Sequence, residues 1–196
     1  MYQKFKITIA LLIFVFMQAP LIAGGSSVRM SMATSTVLTL KGTSTLHDFE
    51  CTTKTVQGII EMDSLARTFA IANIRIPVKE IHSGNSSMDE NMYESLKAEA
   101  YPEITFSLLN ASITNDSTHK LTGTLKIAGT EKIVDLDIVV RKKAGGVISA
   151  SGTKKILMTD FGIKPPTFMF GALKTGNEVV VEFNIELKEI RLSTQQ

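Results

Sequence analysis

Cysteine is nearly absent. The 196 residues contain one, Cys51, so no disulfide can form within the chain. A domain of this size does not need one. No second cysteine or basic cluster lies near Cys51, so nothing marks it as a reactive thiol, and a lone cysteine in a strand is ordinarily buried and inert. Histidine is scarce too. The three, His47, His82 and His119, stand far apart and form no H-E-x-x-H, H-x-H or Cys-His spacing, so a metal site has little support. There is no G-x-S-x-G elbow, no Walker loop and no G-x-G-x-x-G. Charge blocks, internal repeats and low-complexity tracts are missing as well. The formal charge is +2. It falls to zero without residues 1–23, because Lys4 and Lys6 leave with them. A near-neutral chain has no electrostatic claim on nucleic acid or on an anionic membrane.

One long apolar run is present. It spans Ile7 to Ala23, follows Lys4 and Lys6, and leads into the small residues Gly24 and Gly25. A basic start, an apolar stretch and a small-residue exit make a secretory signal peptide, expected over residues 1–23, with cleavage after Ala23 or Gly25. The alternative is an uncleaved anchor. The run is just short of the ~20 apolar residues that span a bilayer, and Pro20 interrupts its end. No cysteine follows, so a lipid-modified N-terminus is not expected. Residues 24–35 read as an N-terminal extension, 36–190 as one domain and 191–196 as a tail.

The rest reads as strands. Val37 to Leu40, Thr43 to Lys54 and Thr55 to Met62 are rich in Thr, Val and Ile. Thr68 to Ile76 puts Phe69, Ile71, Asn73 and Arg75 on one face and Ala70, Ala72, Ile74 and Ile76 on the other. Ile104 to Ile113 is followed by a turn at Asn115, Asp116 and Ser117. Leu121 to Ile127 and Ile133 to Arg141 form a hairpin around Ala128, Gly129 and Thr130. Gly145 and Gly146 turn into Val147 to Met158. Glu178 to Leu187 alternates cleanly, with Val179, Val181, Phe183, Ile185 and Leu187 on one side. Short strands with turn residues between them predict an all-β antiparallel sandwich or barrel. One short helix interrupts it. Ser87 to Glu90 fits a capping box, and Met88, Met92, Leu96 and Ala100 form a stripe that Pro102 ends.

Chemistry is hard to find. His47 and Asp48 are neighbours on a strand, so their side chains point to opposite faces and make no acid–base couple. Asp135 and Asp137 share a face opposite Val134, Leu136 and Ile138, as on a solvated outer wall. The small residues Gly58, Ala70, Ala72, Gly123, Ala150 and Gly152 can leave a barrel interior unfilled, and unfilled apolar volume is a ligand site. A packed sandwich has the same alternation.

Four stretches resemble the YceI-like family. Ile81 to Leu108 carries its central pattern: Gly84 in a loop, Asp89 near a helix start, and Tyr101, Pro102, Ile104 and Phe106 entering a strand. Gly123 to Val140 is similar to its following hairpin. Ile156 to Ile163, with Gly171, Ala172, Leu173, Gly176, Glu178 and Val179, resembles its closing motif, and Gly42 to Phe49 its opening strand. The chain departs from the pattern twice: Met158 stands where many members have Arg, and Asn91 where many have His.

The resemblance implies an antiparallel lipocalin-like β-barrel of about eight strands over residues 36–190, with a pore for a polyisoprenoid or quinone tail. With the leader it implies periplasmic lipid carriage, no catalysis, no cofactor and transient membrane contact during uptake. Expected pore-lining residues are Phe49, Ile104, Phe106, Leu108 and Leu125. Phe161, Phe168, Phe170, Val181 and Phe183 complete the set. Pro165 to Gly171 carries Phe168 and Phe170 and is expected to line the pore mouth. Two rivals remain: an enzyme on quinones or lipids using His47 or Asp160, and a fully packed interaction module.

Overall fold

The computed structural model describes residues 27–65, 67–168 and 172–190, with Phe168 as backbone only. The expected leader, the C-terminal tail and Phe170 lie outside the described residues. Among the described residues there are eleven strands: β1 (Ser27–Met32), β2 (Val37–Ser44), β3 (Phe49–Thr53), β4 (Gln57–Asp63), β5 (Thr68–Pro77), β6 (Glu103–Ile113), β7 (Thr118–Ile127), β8 (Thr130–Lys142), β9 (Ile148–Leu157), β10 (Thr167–Phe168) and β11 (Leu173–Glu189). One helix, α1 (Ser86–Ser95), stands between β5 and β6.

The ring runs β1, β4, β5, β6, β7, β8, β9, β11 and returns to β1, a closed antiparallel barrel of eight strands. β2 extends β1 along the same edge of β11, and β3 extends β4, so these four segments are two long strands each broken by a kink. At the first kink the Ala33 N–H donates to the Glu186 carbonyl at 2.7 Å. The Glu186 N–H donates to the buried Thr36 hydroxyl at 3.1 Å. A side chain thus replaces one rung, and the backbone groups stay satisfied where the strand bends. β1 falls within the stretch read as an N-terminal extension, and its ladders to β4 and β11 make it part of the wall.

Local sequence explains the tight features. Ala128 (φ +48°) and Gly129 (φ +85°) form a two-residue hairpin loop between paired Ile127 and Thr130, the positive-φ turn that matches strand twist. In β5 the register shifts between Glu61↔Ile71 and Met62↔Phe69, so Ala70 is an extra residue. This bulge turns Phe69 inward, against the alternation that put it beside Ile71.

The helix start differs from the expected capping box. Asn85 is the cap, its side-chain oxygen accepting from the Met88 N–H at 3.1 Å, so α1 begins before Ser87. Asp89 instead accepts from the Ser83 N–H at 2.7 Å and the Ser83 hydroxyl at 2.6 Å. The helix ends at Leu96 because Lys97 is left-handed (φ +55°), well before Pro102 and without reaching Ala100.

The barrel is not uniformly zipped. The β5–β6 ladder covers only Asn73–Pro77 against Glu103–Ser107. The β8–β9 ladder covers only Ile138–Lys142 against Gly152–Ile148. Two buried clusters stand at opposite ends. One gathers Ile60, Phe69, Leu121, Ile138 and Leu187; the other gathers Cys51, Val78, Ile81, Ile127 and Phe161 under α1.

Candidate functional site

A cavity of about 410 Å³ runs between the two clusters. That is the size of a small-molecule site. Every strand but β1 and β10 contributes residues to its wall. β11 supplies Val179, Val181, Phe183, Ile185 and Leu187, and β8 supplies Val134, Leu136 and Ile138. Their outward partners form exposed cross-strand ion pairs, including Lys120–Asp135 at 2.8 Å and Lys155–Glu178 at 3.0 Å. Such pairs add little stability, but they keep the outer wall wet. Asp135 and Asp137 are exposed on that wall.

The expected lining residues divide by position. Phe49, Ile104, Phe106, Leu125, Phe161, Val181 and Phe183 come together around the cavity. Leu108 does not: just before a bulge in β6, it packs against the core cluster with Phe69 and Leu121. Phe168 is described only as backbone, paired with Leu173, and Phe170 lies outside the described residues. The alternation did not mark Phe69, Met88, Met92 and Leu96 as cavity wall, yet all four line it. Met88, Met92 and Leu96 also pack against the second cluster, so the helical stripe serves both roles. Met158 and Asn91, the two departures from the family pattern, both face the cavity.

Small residues shape the space in an unexpected way. Phe49 covers Gly42, Phe106 covers Gly123 and Phe183 covers Gly152, with ring atoms 2.2, 2.4 and 2.7 Å from where a Cβ would stand. The rings lie over the wall glycines, where a side chain would otherwise stand.

Polar groups are few and grouped. At one end His47, Leu46, Ser44 and Lys174 rim the opening, beside Asn91 and Ser95 of the helix. His47 is exposed and its Nδ1–H donates to the Asp48 carbonyl at 2.9 Å, which spends the ring on a local turn. The helix is held by a cluster behind it. Tyr93 donates its hydroxyl proton to the Ile81 carbonyl at 2.8 Å, and His82 Nδ1 lies 3.4 Å from Asp89 Oδ2. Burial opposes ionisation of Asp89, but the two Ser83 hydrogen bonds and His82 outweigh it and hold the carboxyl below its usual range. Cys51 faces the cavity as a buried thiol, pushed up to about 11 by burial and then by the Asp89 and Glu50 charges. At that value it is neither nucleophile nor ligand at neutral pH. Among the described residues no three His, Cys, Asp or Glu side chains gather as a metal cluster.

Residues 24–187 match the family model of the YceI-like domain. No curated protein matches the sequence. BcnA of Burkholderia cenocepacia is 16% identical with a TM-score of 0.69, covering 80% of this chain and 99% of its own. A polyisoprenoid binding domain from Saccharophagus degradans is 13% identical with a TM-score of 0.64, over 83% of this chain and 99% of its own. The YceI protein of Campylobacter jejuni is 25% identical with a TM-score of 0.59, over 72% and 85%. The first two likenesses are of fold, and the closed barrel with its single helix is what they share with this molecule. The family model spans most of the sequence and all but the last residues of β11, and on that match the chain belongs to the YceI-like domain family.

Proposed function

We propose that this protein carries a long apolar lipid, an isoprenoid or quinone tail, inside its barrel in the periplasm, and that it catalyses no reaction. The observation that carries the reading is the cavity of about 410 Å³ with an almost wholly apolar wall. Each CH₂ moved from water into such a wall contributes roughly 0.8 kcal/mol, so a long chain binds without charges or catalytic groups. A packed interaction module would have no such volume. The polyisoprenoid binding domain of Saccharophagus degradans, alike in fold, supports the ligand class. Export rests on Lys4, Lys6 and the apolar run. The mouth is the end rimmed by His47, Leu46 and Lys174, where β10 pairs Thr167 with Lys174.

Mass spectrometry of an organic extract of freshly purified periplasmic protein tests the ligand. One isoprenoid-like molecule per chain is expected; an empty extract from protein with an intact apolar interior counts against the proposal. N-terminal sequencing of the same material is expected to begin near Gly24 or Ser26, and an intact Met1 in the membrane fraction defeats the export claim.

A further inference from the structure

We propose that the gap between β8 and β9 is a head-group site, which takes a carboxylate or phosphate at the end of the chain held in the cavity. The inference rests on reading the cavity as a lipid site.

Three observations converge there. First, the ladder between these strands stops at Ile138↔Gly152, while β8 runs on to Thr130 and β9 to Leu157. The facing backbone edges of Thr130–Asp137 and Thr153–Leu157 are therefore unzipped from each other, although β8 remains paired to β7 and β9 to β11. Second, both margins of the gap line the cavity: Val134 and Leu136 from β8, Lys154 and Ile156 from β9. The margins of the gap are therefore part of the cavity wall. Third, Lys154 holds the inward register between Gly152 and Ile156, where every other wall position of β9 is apolar or small. Its ammonium donates to the Asp135 carbonyl at 2.9 Å, an oxygen of the unzipped edge.

That carbonyl is a neutral stand-in for an anion. An ammonium has three donors and a strong need for compensating charge when water is displaced. The one carboxylate that feels the Lys154 charge, Asp135, makes its hydrogen bonds to Lys120 at 2.8 Å and Thr122 at 2.7 Å, and Glu178 pairs with Lys155 at 3.0 Å. Asp137 lies on the same outer face as Asp135. The cavity wall itself contains Lys154 and Lys174 and no Asp or Glu. An apolar chain with an anionic end matches that wall in both hydropathy and sign. Outside the gap, Ile133 is 71% and Leu157 42% exposed, so a chain leaving by this route keeps apolar contact.

The test is competition against a neutral fluorescent hydrocarbon in the stripped full-length mature protein at low salt. Hexadecanoate, hexadecyl phosphate and methyl hexadecanoate are the competitors, and comparing the two anions separates a carboxylate from a phosphate head. The anions are expected to compete roughly tenfold better than the ester, as a charged hydrogen bond implies. Lys154→Met should bring all three to one affinity, Lys154→Arg should keep the preference, and melting temperatures show that both variants are folded. Equal competition in the wild type overturns the head-group site and leaves the lipid reading standing. Loss of the preference in Lys174→Met but not in Lys154→Met overturns it in favour of the mouth. If the hydrocarbon probe itself does not bind, the lipid reading fails and the inference fails with it.

Discussion

Phe183 lies across Gly152, with its ring 2.7 Å from the place a Cβ would take, and the Asp137 carbonyl stands 2.8 Å from the same point. Gly152→Ala therefore has no free direction in which to put a methyl group. The ring must lift off the wall into the cavity, at a cost of about 1–3 kcal/mol as overpacking goes. Urea melts should show that loss, and lipid per protein should fall because the lifted ring occupies the axis. Unchanged melts with unchanged lipid content would show that the wall is softer than its geometry. His119 makes a second case. It is 4% exposed, meets Phe69 edge-on at 5.9 Å, and its Nδ1 has no hydrogen-bond partner. Burial pushes its pKa below the ordinary 6.5. The unfolded chain therefore takes up a proton before the folded one does. The neutral ring's contribution is complete above pH 6.5 and is lost as pH falls from there through the lowered folded value. Stability measured from pH 8 to 4.5 should drop across that window, and His119→Phe should remove that part of the slope. A wild-type curve with no drop in the window would contradict the burial argument.

At the scale of the element, Asp89 ties α1 to the loop before it, while Met88, Met92, Tyr93 and Leu96 pack the helix against the barrel. That carboxylate collects both Ser83 donors and lies near His82, beside the Tyr93 hydroxyl that grips Ile81. Hydrogen bonds to a charged acceptor are each worth roughly 1.5–3 kcal/mol. Asp89→Ala should lower stability by an amount in that range and raise hydrogen exchange in residues 78–96 before the barrel strands respond. Uniform exchange across the whole chain would mean that the helix is not a separate unit. This anchoring was only partly legible. Asn85, Ser87 and Asp89 all offer cap chemistry within five residues, and periodicity does not choose among them. β11 and β8, by contrast, were readable because alternation over a long run leaves one register that buries the apolar face. Phe69 was misplaced because a one-residue bulge reverses every side chain beyond it, and Ala70 gives no sign of being the extra residue. Lys154 escaped notice for a related reason: a lysine in a strand reads as outer wall, and only the ladder's end shows why it can turn inward.

On the scale of the whole molecule, closure depends on one strand. β11 is 17 residues long; β9 and the short β10 run along one edge, while β2 and β1 share the other. Met30 pairs with Glu189, so the contact that seals the ring joins residues near opposite ends of the described chain. Without β11, β9 on one side and β1 with β2 on the other are bare edges, and the apolar face is open to water. Closure of that kind is nonlocal and therefore slow. During the delay, the surface that later encloses lipid is the same surface that drives chains to associate. An apolar guest in the surroundings and a second unfinished chain compete for it, and the docking rate of the final strand sets how long that competition lasts.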